Sequence, residues 1–365
     1  MPPARKSPTL HSARALDRLV CVSCRPSNKL KPSLLIFELW GLGDLVIATP
    51  FLRAACEKYS VTLVAKPYAQ DLHNRLWPEV EIVPFVAPWT AFQGKYKLWN
   101  WPWAELYRLR KKLSARRFDV GVSARWDPRD HFLLRAVRAR KRFGYPRLSS
   151  QMFLTDPLIK PAPRDHRYEY WSVLGRALDL EMPDRQSIVM PRLQSRGAVF
   201  IHTGAGQSIR VWPLERYRNL VAWLRGKNYR VIVACDPDQR DWWMRSGEGE
   251  VSTPKTVSEL LSLIDDSTVF IGNDSGPGHL AAFCGVPTLS LFGPQLPEWF
   301  SPLHPESVCI EGKPCPFKPC SDYCRFETPR CLWGITEEEI QIAAQMFLDQ
   351  HLPQNTAPAK LLITS

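Results

Sequence analysis

The chain has 365 residues, 45% of them hydrophobic and 23% charged, and 48 Lys and Arg against 36 Asp and Glu give a formal net charge of +12. That length exceeds what one hydrophobic core usually serves, so two domains of roughly 150 to 180 residues are expected, and the apolar content excludes a disordered chain. No apolar run approaches the ~20 residues of a membrane-spanning helix, and the charge surplus favours an anionic partner: nucleic acid, a phosphorylated small molecule or an acidic membrane surface.

Residues 1–32 read as a loose leader. Its opening, MPPARKSPTLHSARALDRLV, carries positive charge but no continuous apolar core for a signal peptide, so a cytoplasmic protein is expected. SLLIFEL (Ser33 to Leu39) reads as a buried strand, WGLGD as a turn, the run from Leu45 through Lys58 as a helix, and VTLVA (Val61 to Ala65) as the next strand. The segment PWTAFQGKYKLWNWPWAELY then mixes Trp89, Trp99, Trp101 and Trp103 with Lys95 and Lys97, just ahead of the basic stretches YRLRKKLSARRFD and RWDPRDHFLLRAVRARKRFGYPR. Such a mixture suits the boundary between lipid headgroups and acyl chains, and equally a Trp-rich loop packed on its own domain. Basic-aromatic mixtures also bind single-stranded nucleic acid, but no RNP, KH or helix-turn-helix signature is present and no nucleic-acid partner is expected. DVGVSA (Asp119 to Ala124) reads as a further strand and HFLLRAVRAR as a helix.

A second series begins near Ala198, after MPRLQSRG, the expected interdomain linker. Strand AVFIH, helix LERYRNLVAWLRGKN, strand RVIVACD, helix SELLSLIDD, strand TVFIGND, a helix from Gly278 and strand VPTLSLFG follow in turn. Alternating short apolar strands and amphipathic helices indicate parallel, helix-covered sheets, an α/β fold, with ligands at the carboxyl ends of the strands. The tail HLPQNTAPAKLLITS is expected to fray.

Three of those strand ends carry chemistry. NDSGPGH leads from a strand into a helix, and its glycines let backbone N–H groups and a helix N-terminus approach an anion closely. Asp274 and Ser275 either cap that helix or face a ligand, and His279 either packs or donates to a phosphate oxygen. In HTGAGQSIRVWPLERY a Gly-containing loop leads to Arg210, placed to pair with phosphate oxygens, ahead of Trp212-Pro213 opening a helix. GLGD (Gly41 to Asp44) lacks the last glycine of a dinucleotide-binding fingerprint, Val46 standing there, and Asp44 is either a helix cap or a general base at the mouth of the first sheet.

These segments together resemble a known family. DSGPGHLAAFCGVPTLSLFGP is similar to the signature of glycosyltransferase family 9, the bacterial lipopolysaccharide heptosyltransferases. HTGAGQSIRVWPLERY resembles that family's Gly-Ala-Gly…Lys-x-Trp-Pro segment, WGLGDLVIATPFLRA its Leu-Gly-Asp…Pro opening, and RRFDVGVSARW followed by KRFGY its central pattern, so the resemblance extends from about Ser33 to Glu339. It implies a GT-B fold of two Rossmann-like domains facing a central cleft: an acceptor-binding domain at 33–190 and a nucleotide-sugar-binding domain at 197–345, followed by a flexible tail at 346–365. The implied activity is inverting transfer of heptose from ADP-heptose to a lipid-linked, phosphorylated sugar of the lipopolysaccharide core, with no cofactor required. Its place would be the inner face of the cytoplasmic membrane, whose anionic surface suits the positive N-terminal half. The resemblance makes Asp44 the general base and sets Gly43, Thr203, Gly204, Arg210, Asp274, Ser275, Gly276 and His279 at the donor diphosphate. Arg210 stands where the family usually has Lys. The family's ribose-binding acid has no clean counterpart, Asp238 or Gln239 being nearest, which leaves the nucleotide open. A member using another nucleotide sugar for surface polysaccharide, or a non-catalytic sugar-nucleotide-binding protein, are the alternatives.

Cys56, Cys235 and Cys284 lie in apolar contexts that suit buried thiols. Cys315, Cys320, Cys324 and Cys331 cluster in KPCPFKPCSDYCRFETPRCLWG, whose spacing is open to reduced thiols, a disulfide, or a small structural metal knuckle with zinc. Cys21 and Cys24 form a CxxC in the leader without a thioredoxin-like context.

Overall fold

The computed structural model describes residues 31–91, 95–188, 197–320 and 323–352. From Pro32 onward the chain forms one unit built of two parallel sheets. The first is made by β1 (Ser33–Glu38), β2 (Ser60–Ala65), β3 (Glu81–Pro84), β4 (Val120–Val122), β5 (Lys141–Gly144) and β6 (Asp156–Pro157), in the order β3-β2-β1-β4-β5-β6. The second is made by β7 (Ala198–His202), β8 (Arg230–Ala234), β9 (Ser267–Asn273), β10 (Thr288–Phe292) and β11 (Val308–Glu311), in the order β11-β10-β9-β7-β8. β1, β7, β9 and β10 are buried almost throughout, as expected of parallel strands covered by helices on both faces.

Helices of the first half are α1 (Leu42–Ile47), α2 (Thr49–Lys58), α3 (Ala69–Leu76), α4 (Trp103–Ser114), α5 (Pro128–Ala136) and α6 (Arg167–Ala177). The second half adds α7 (Leu214–Gly226), α8 (Arg240–Arg245), α9 (Val257–Asp265), α10 (Gly276–Phe283), α11 (Pro297–Phe300), α12 (Arg330–Trp333) and α13 (Glu337–His351). Two differences from the sequence reading have plain causes. The run expected as one helix to Lys58 is two, broken at Ala48, because Pro50 has no N–H to give the preceding turn and so sits in the first turn of a new helix. α13 continues to His351, six residues into the stretch expected as a flexible tail, because Phe347 and Leu348 are buried in the core of the second half. The leader up to residue 30, the linker at 189–196 and the end of the tail from 353 lie outside the described residues.

In each sheet the chain leaves its first strand to build one side and then crosses to the other, which opens a crevice between β1 and β4 and a second between β7 and β9. The loops that follow these four strands therefore start at the positions where open parallel sheets bind ligands. The halves are joined by polar pins. Arg75 on α3 makes a two-point pair with Asp265 at 3.0 and 2.8 Å, and Asp71 Oδ2 accepts the N–H groups of Val257 (2.9 Å) and Ser258 (3.3 Å) at the start of α9. Trp299 Nε1 donates to the Pro163 carbonyl at 2.7 Å, and His166 Nε2 lies 2.9 Å from the Ser301 carbonyl oxygen. Apolar packing is continuous across this seam, one cluster running from Leu34 and Phe51 to Phe270 and Phe283.

At the edge of the first sheet an aromatic series runs outward, from Phe85 to Trp89 (6.4 Å between centroids), Trp101 (5.5 Å) and Trp103 (5.5 Å). Its buried end is tied down by the indole N–H of Trp89, which donates to Asp130 Oδ1 at 3.1 Å, while Ser123 Oγ donates to Oδ2 at 3.1 Å. Burial, with a smaller push from Asp127, drives the Asp130 carboxyl up to about 7 despite those two hydrogen bonds. The folded state therefore holds this proton at pH values where the unfolded chain has released it, so the group's contribution to stability falls as pH rises from about 4 to about 7. Asp130→Asn should lose less, or gain, relative to wild type at pH 8 than at pH 5. The change in that difference should be on the order of 2–4 kcal/mol in urea titrations, and a pH-independent difference would contradict the assignment.

Candidate active site

The loop after β1 enters α1 without a capping side chain, since its N-cap is Gly41. Asp44, three residues on, turns back so that Oδ2 accepts the Gly41 N–H at 3.2 Å. Its other oxygen is ion-paired with Arg125, from the loop after β4, so both walls of the first crevice contribute to one contact. The Arg125 guanidinium also lies over the Trp40 ring at 4.9 Å. Arg167, buried at the start of α6, is stacked on Tyr170 (4.3 Å) and Trp126 (4.9 Å) and donates to the Ala124 carbonyl at 3.3 Å. Behind them Glu38, the last residue of β1, accepts the Trp40 N–H at 3.1 Å. Two carboxylates and two guanidinium groups thus share one buried cluster, and their titration is opposed. Burial and then the Asp44 charge push Glu38 upward. Burial also acts to raise Asp44, but Arg125, Arg167, the Gly41 N–H and His279 outweigh it, and its net direction is down. Asp44 is held ionised while Glu38 tends to keep its proton.

In the second half, β9 ends at Asn273, whose side chain ties the neighbouring loops together. Its Oδ1 accepts from the Trp212 N–H (3.1 Å) and the Tyr217 hydroxyl (2.9 Å), and its Nδ2 donates to the Thr203 carbonyl at 2.9 Å. Asp274 follows, buried, with Arg210 Nη1 at 3.4 Å from its Oδ2; burial raises its carboxyl and Arg210 opposes the shift. Ser275 is the N-cap of α10, yet its hydroxyl makes no cap bond. His279, one turn in, has its pKa lowered chiefly by burial, against the pull of Asp274 and Asp44.

These two loops meet. A Cβ placed on Gly43 would lie 2.6 Å from His279 Cδ2, and one placed on Gly276 would lie 2.9 Å from Leu42 Cβ, so α1 and α10 approach at a distance only glycine at both positions permits. Around the junction Ser275 Oγ, His279 Nδ1, Arg210 Nε, Arg125 Nε and Arg167 Nη1 are buried without a hydrogen-bond partner among the described residues. A buried polar group left unpaired costs about 1–3 kcal/mol, so this concentration of donors fits the oxygens of an anionic ligand.

The remaining sequence candidates divide. Thr203 is fully buried and its hydroxyl is engaged, donating to Gln239 Oε1 at 2.8 Å and accepting from Trp243 Nε1 at 3.2 Å, so its part is to hold the loop. Gln239 returns its amide to the Thr203 carbonyl at 3.2 Å. At Gly204 the Asp236 carboxylate packs against the space a Cβ would take. Asp238 lies exposed on the wall of a cavity of about 410 Å³, lined also by Ala205, Ser208, Val211, Trp242 and Trp333. Arg125, Arg167, Glu38 and Asp236 were not singled out from the sequence; the signal available for each was its place at the end of a parallel strand, in the loop after one, or at a helix start.

Of the three alternatives left open for the cysteine cluster, the described residues fit reduced thiols. Cys315, Cys320, Cys324 and Cys331 do line one small cavity, but among the described residues no three His, Cys, Asp or Glu side chains are placed to hold a metal ion. The thiols turn to local carbonyls instead, Cys320 Sγ to Phe317 (3.4 Å) and Cys324 Sγ to Thr328 (3.8 Å), while the paired rings of Phe317 and Phe326 pack beside them. All the described cysteines are free thiols.

The profile of Glycosyltransferase family 9 (heptosyltransferase) matches residues 106–328, and the chain belongs to that family. Lipopolysaccharide heptosyltransferase 3 of Escherichia coli strain K12 is 28% identical over 133 residues, 34% of this chain and only 35% of that protein's length. Lipopolysaccharide heptosyltransferase 1 of Pseudomonas aeruginosa is 24% identical over 260 residues, 64% of this chain and 69% of that protein. Among solved structures, the E. coli heptosyltransferase WaaC with ADP superposes with a TM-score of 0.67 at 15% identity, covering 86% of this chain and 99% of that one. Likeness at that identity is one of fold, and it identifies the two parallel-sheet halves as the GT-B architecture.

Gly43→Ala and Gly276→Ala should each force the α1 and α10 contact apart, lowering stability by roughly 1–3 kcal/mol and weakening binding of a nucleoside diphosphate. Gly226→Ala, where a Cβ meets nothing within 4 Å, is the control and should do neither. Equal behaviour of all three in thermal melts with and without ADP would refute the contact's role.

Proposed function

We propose that the chain is an inverting glycosyltransferase that moves heptose from ADP-heptose to a lipid-linked, phosphorylated sugar of the lipopolysaccharide core. The observation that carries this reading is the junction itself, where α1, which carries Asp44, packs against the N-terminal turn of α10, and Arg210 pairs with Asp274 just before that turn. Family membership and the presence of ADP in a structural neighbour support the donor class.

In a single displacement, the acceptor hydroxyl oxygen bonds to the anomeric carbon as the bond from that carbon to the diphosphate oxygen breaks. The hydroxyl proton passes to Asp44 and the electron pair leaves with ADP. Arg210 and the N–H groups at the start of α10 meet the charge gathering on the diphosphate, each well-placed donor being worth roughly 3–4 kcal/mol in such a role. Asp44 paired with Arg125 is a weak base. An acceptor phosphate or carboxylate that draws Arg125 toward itself frees Asp44 to take the proton, coupling acceptor binding to base strength. No cofactor enters this mechanism, and the acceptor's lipid puts the reaction at the inner face of the cytoplasmic membrane.

Asp44→Asn should lower kcat by roughly 10²–10⁴-fold while ADP still raises the melting temperature. Normal transfer by this variant would remove Asp44 as base, and failure of the wild type to transfer from any nucleotide sugar would favour a binding protein. A melting-temperature rise with UDP or GDP rather than ADP would point to another nucleotide sugar.

Because Arg125 depresses the Asp44 carboxyl, Arg125→Ala should raise it and move the acid limb of the kcat/KM profile to higher pH. A limb that stays in place would separate Asp44 from the proton transfer.

A further inference from the structure

We propose that the aromatic and basic shelf formed by residues 95–103 and the outer face of α4 docks onto an anionic lipid bilayer, rings at the headgroup boundary and cationic side chains over lipid phosphates. The inference deepens the reading of a lipid-linked acceptor and rests on it only for its purpose, since docking is measured without catalysis.

Five large apolar or aromatic side chains within twelve residues face solvent here: Tyr96 at 78% exposure, Leu98 at 52%, Trp99 at 78%, Trp103 at 55% and Tyr107 at 59%. α4 buries Leu109 and Leu113 on one side, and the four-residue spacing of Trp103, Tyr107 and Lys111 carries the shelf along the other. The base of the shelf is held in place by the fold. Trp103 Nε1 donates to the Leu98 carbonyl at 2.9 Å and Trp101 Nε1 to the Lys95 carbonyl at 3.3 Å, closing the segment on itself. Trp101 then stacks inward on Trp89, which is buried and bonded to Asp130. A loop packed on its own domain would turn these rings inward; only Trp89 is buried and Trp101 half-buried, and the rest remain outside.

Charge selects the occupant. Between Lys95 and Lys112 there are six basic residues and one acid, Glu105. Lys97, Arg110, Lys111 and Lys112 are exposed and make no ion pair among the described residues. Exposed Trp and Tyr rings flanked by unpaired cations match the headgroup region of an anionic bilayer, where the rings meet the apolar boundary and the long cationic side chains reach phosphate.

The test is cosedimentation of the full chain with phosphatidylcholine vesicles, with and without phosphatidylglycerol. Wild type should pellet with the anionic vesicles, not with phosphatidylcholine alone, and less as salt is raised. Trp99→Ala with Trp103→Ala, and separately Lys111→Glu with Lys112→Glu, should each lower the partition coefficient by about tenfold or more, with melting temperature and transfer to a delipidated acceptor unchanged. Binding that ignores phosphatidylglycerol or both variant pairs would overturn the proposal. So would loss of variant-sensitive behaviour from vesicles in favour of random oligonucleotides or self-association. Vesicle binding without transfer by wild type would uphold the docking surface and count only against the catalytic reading.

Discussion

Everything in the candidate site depends on how closely the starts of α1 and α10 approach each other. Side chains are missing at Gly43 and Gly276 because His279 and Leu42 occupy the space they would need. Bringing two helix N-termini together concentrates partial positive charge from unpaired N–H groups. Each start carries an acid that offsets it, Asp44 within the first turn of α1 and Asp274 just before α10. The Arg75–Asp265 pair and the capping of α9 by Asp71 secure the same seam elsewhere, so the junction is held by contacts that do not involve the site itself.

The charge cluster in the first half follows from the strand order. β1 and β4 are neighbours whose carboxyl ends flank the crevice, so Glu38 and Asp44 from one connection face Arg125 from the other. Burying any one of these charges alone is costly, and removing one partner strands the other, so the cluster acts as a unit. With Asp44 ionised and Glu38 inclined to stay protonated, the cluster retains positive charge from Arg125 and Arg167 next to the junction. An anionic acceptor of the kind proposed would be met by cationic groups already desolvated.

The two glycine-rich loops were legible in the sequence because glycine there answers to a local geometric demand, a sharp turn from strand to helix against another backbone. Asp44, Arg210, Asp274, Ser275, Gly276 and His279 come together as their places after parallel strands imply. Arg125 and Arg167 were hidden among 48 basic residues, since only the β1–β4 pairing, which no local pattern encodes, distinguishes them from surface charge. Gln239 was, with Asp238, the nearest counterpart the resemblance offered for a ribose-binding acid, but tertiary packing turns its amide to Thr203. The break at Ala48 was written in Pro50, and the length of α13 in the apolar pair Phe347 and Leu348, whose burial depends on the core they meet.

The two halves offer different resources to a displacement reaction. The first contributes a carboxylate whose basicity is set by its guanidinium partner, and hence by whatever else binds that partner. The second contributes orphaned donors, Ser275 Oγ, His279 Nδ1 and Arg210 Nε, together with the first turn of α10. An in-line displacement needs the proton to leave on one side of the reacting carbon and the leaving group's charge to gather on the other. In the proposed mechanism a base on one lobe and an anion site on the facing lobe would meet that need without competing for the same space. The close contact of Gly43 with His279 limits the reach between them, so under the proposed reaction a donor sugar would lie along the seam, between Asp44 and the start of α10.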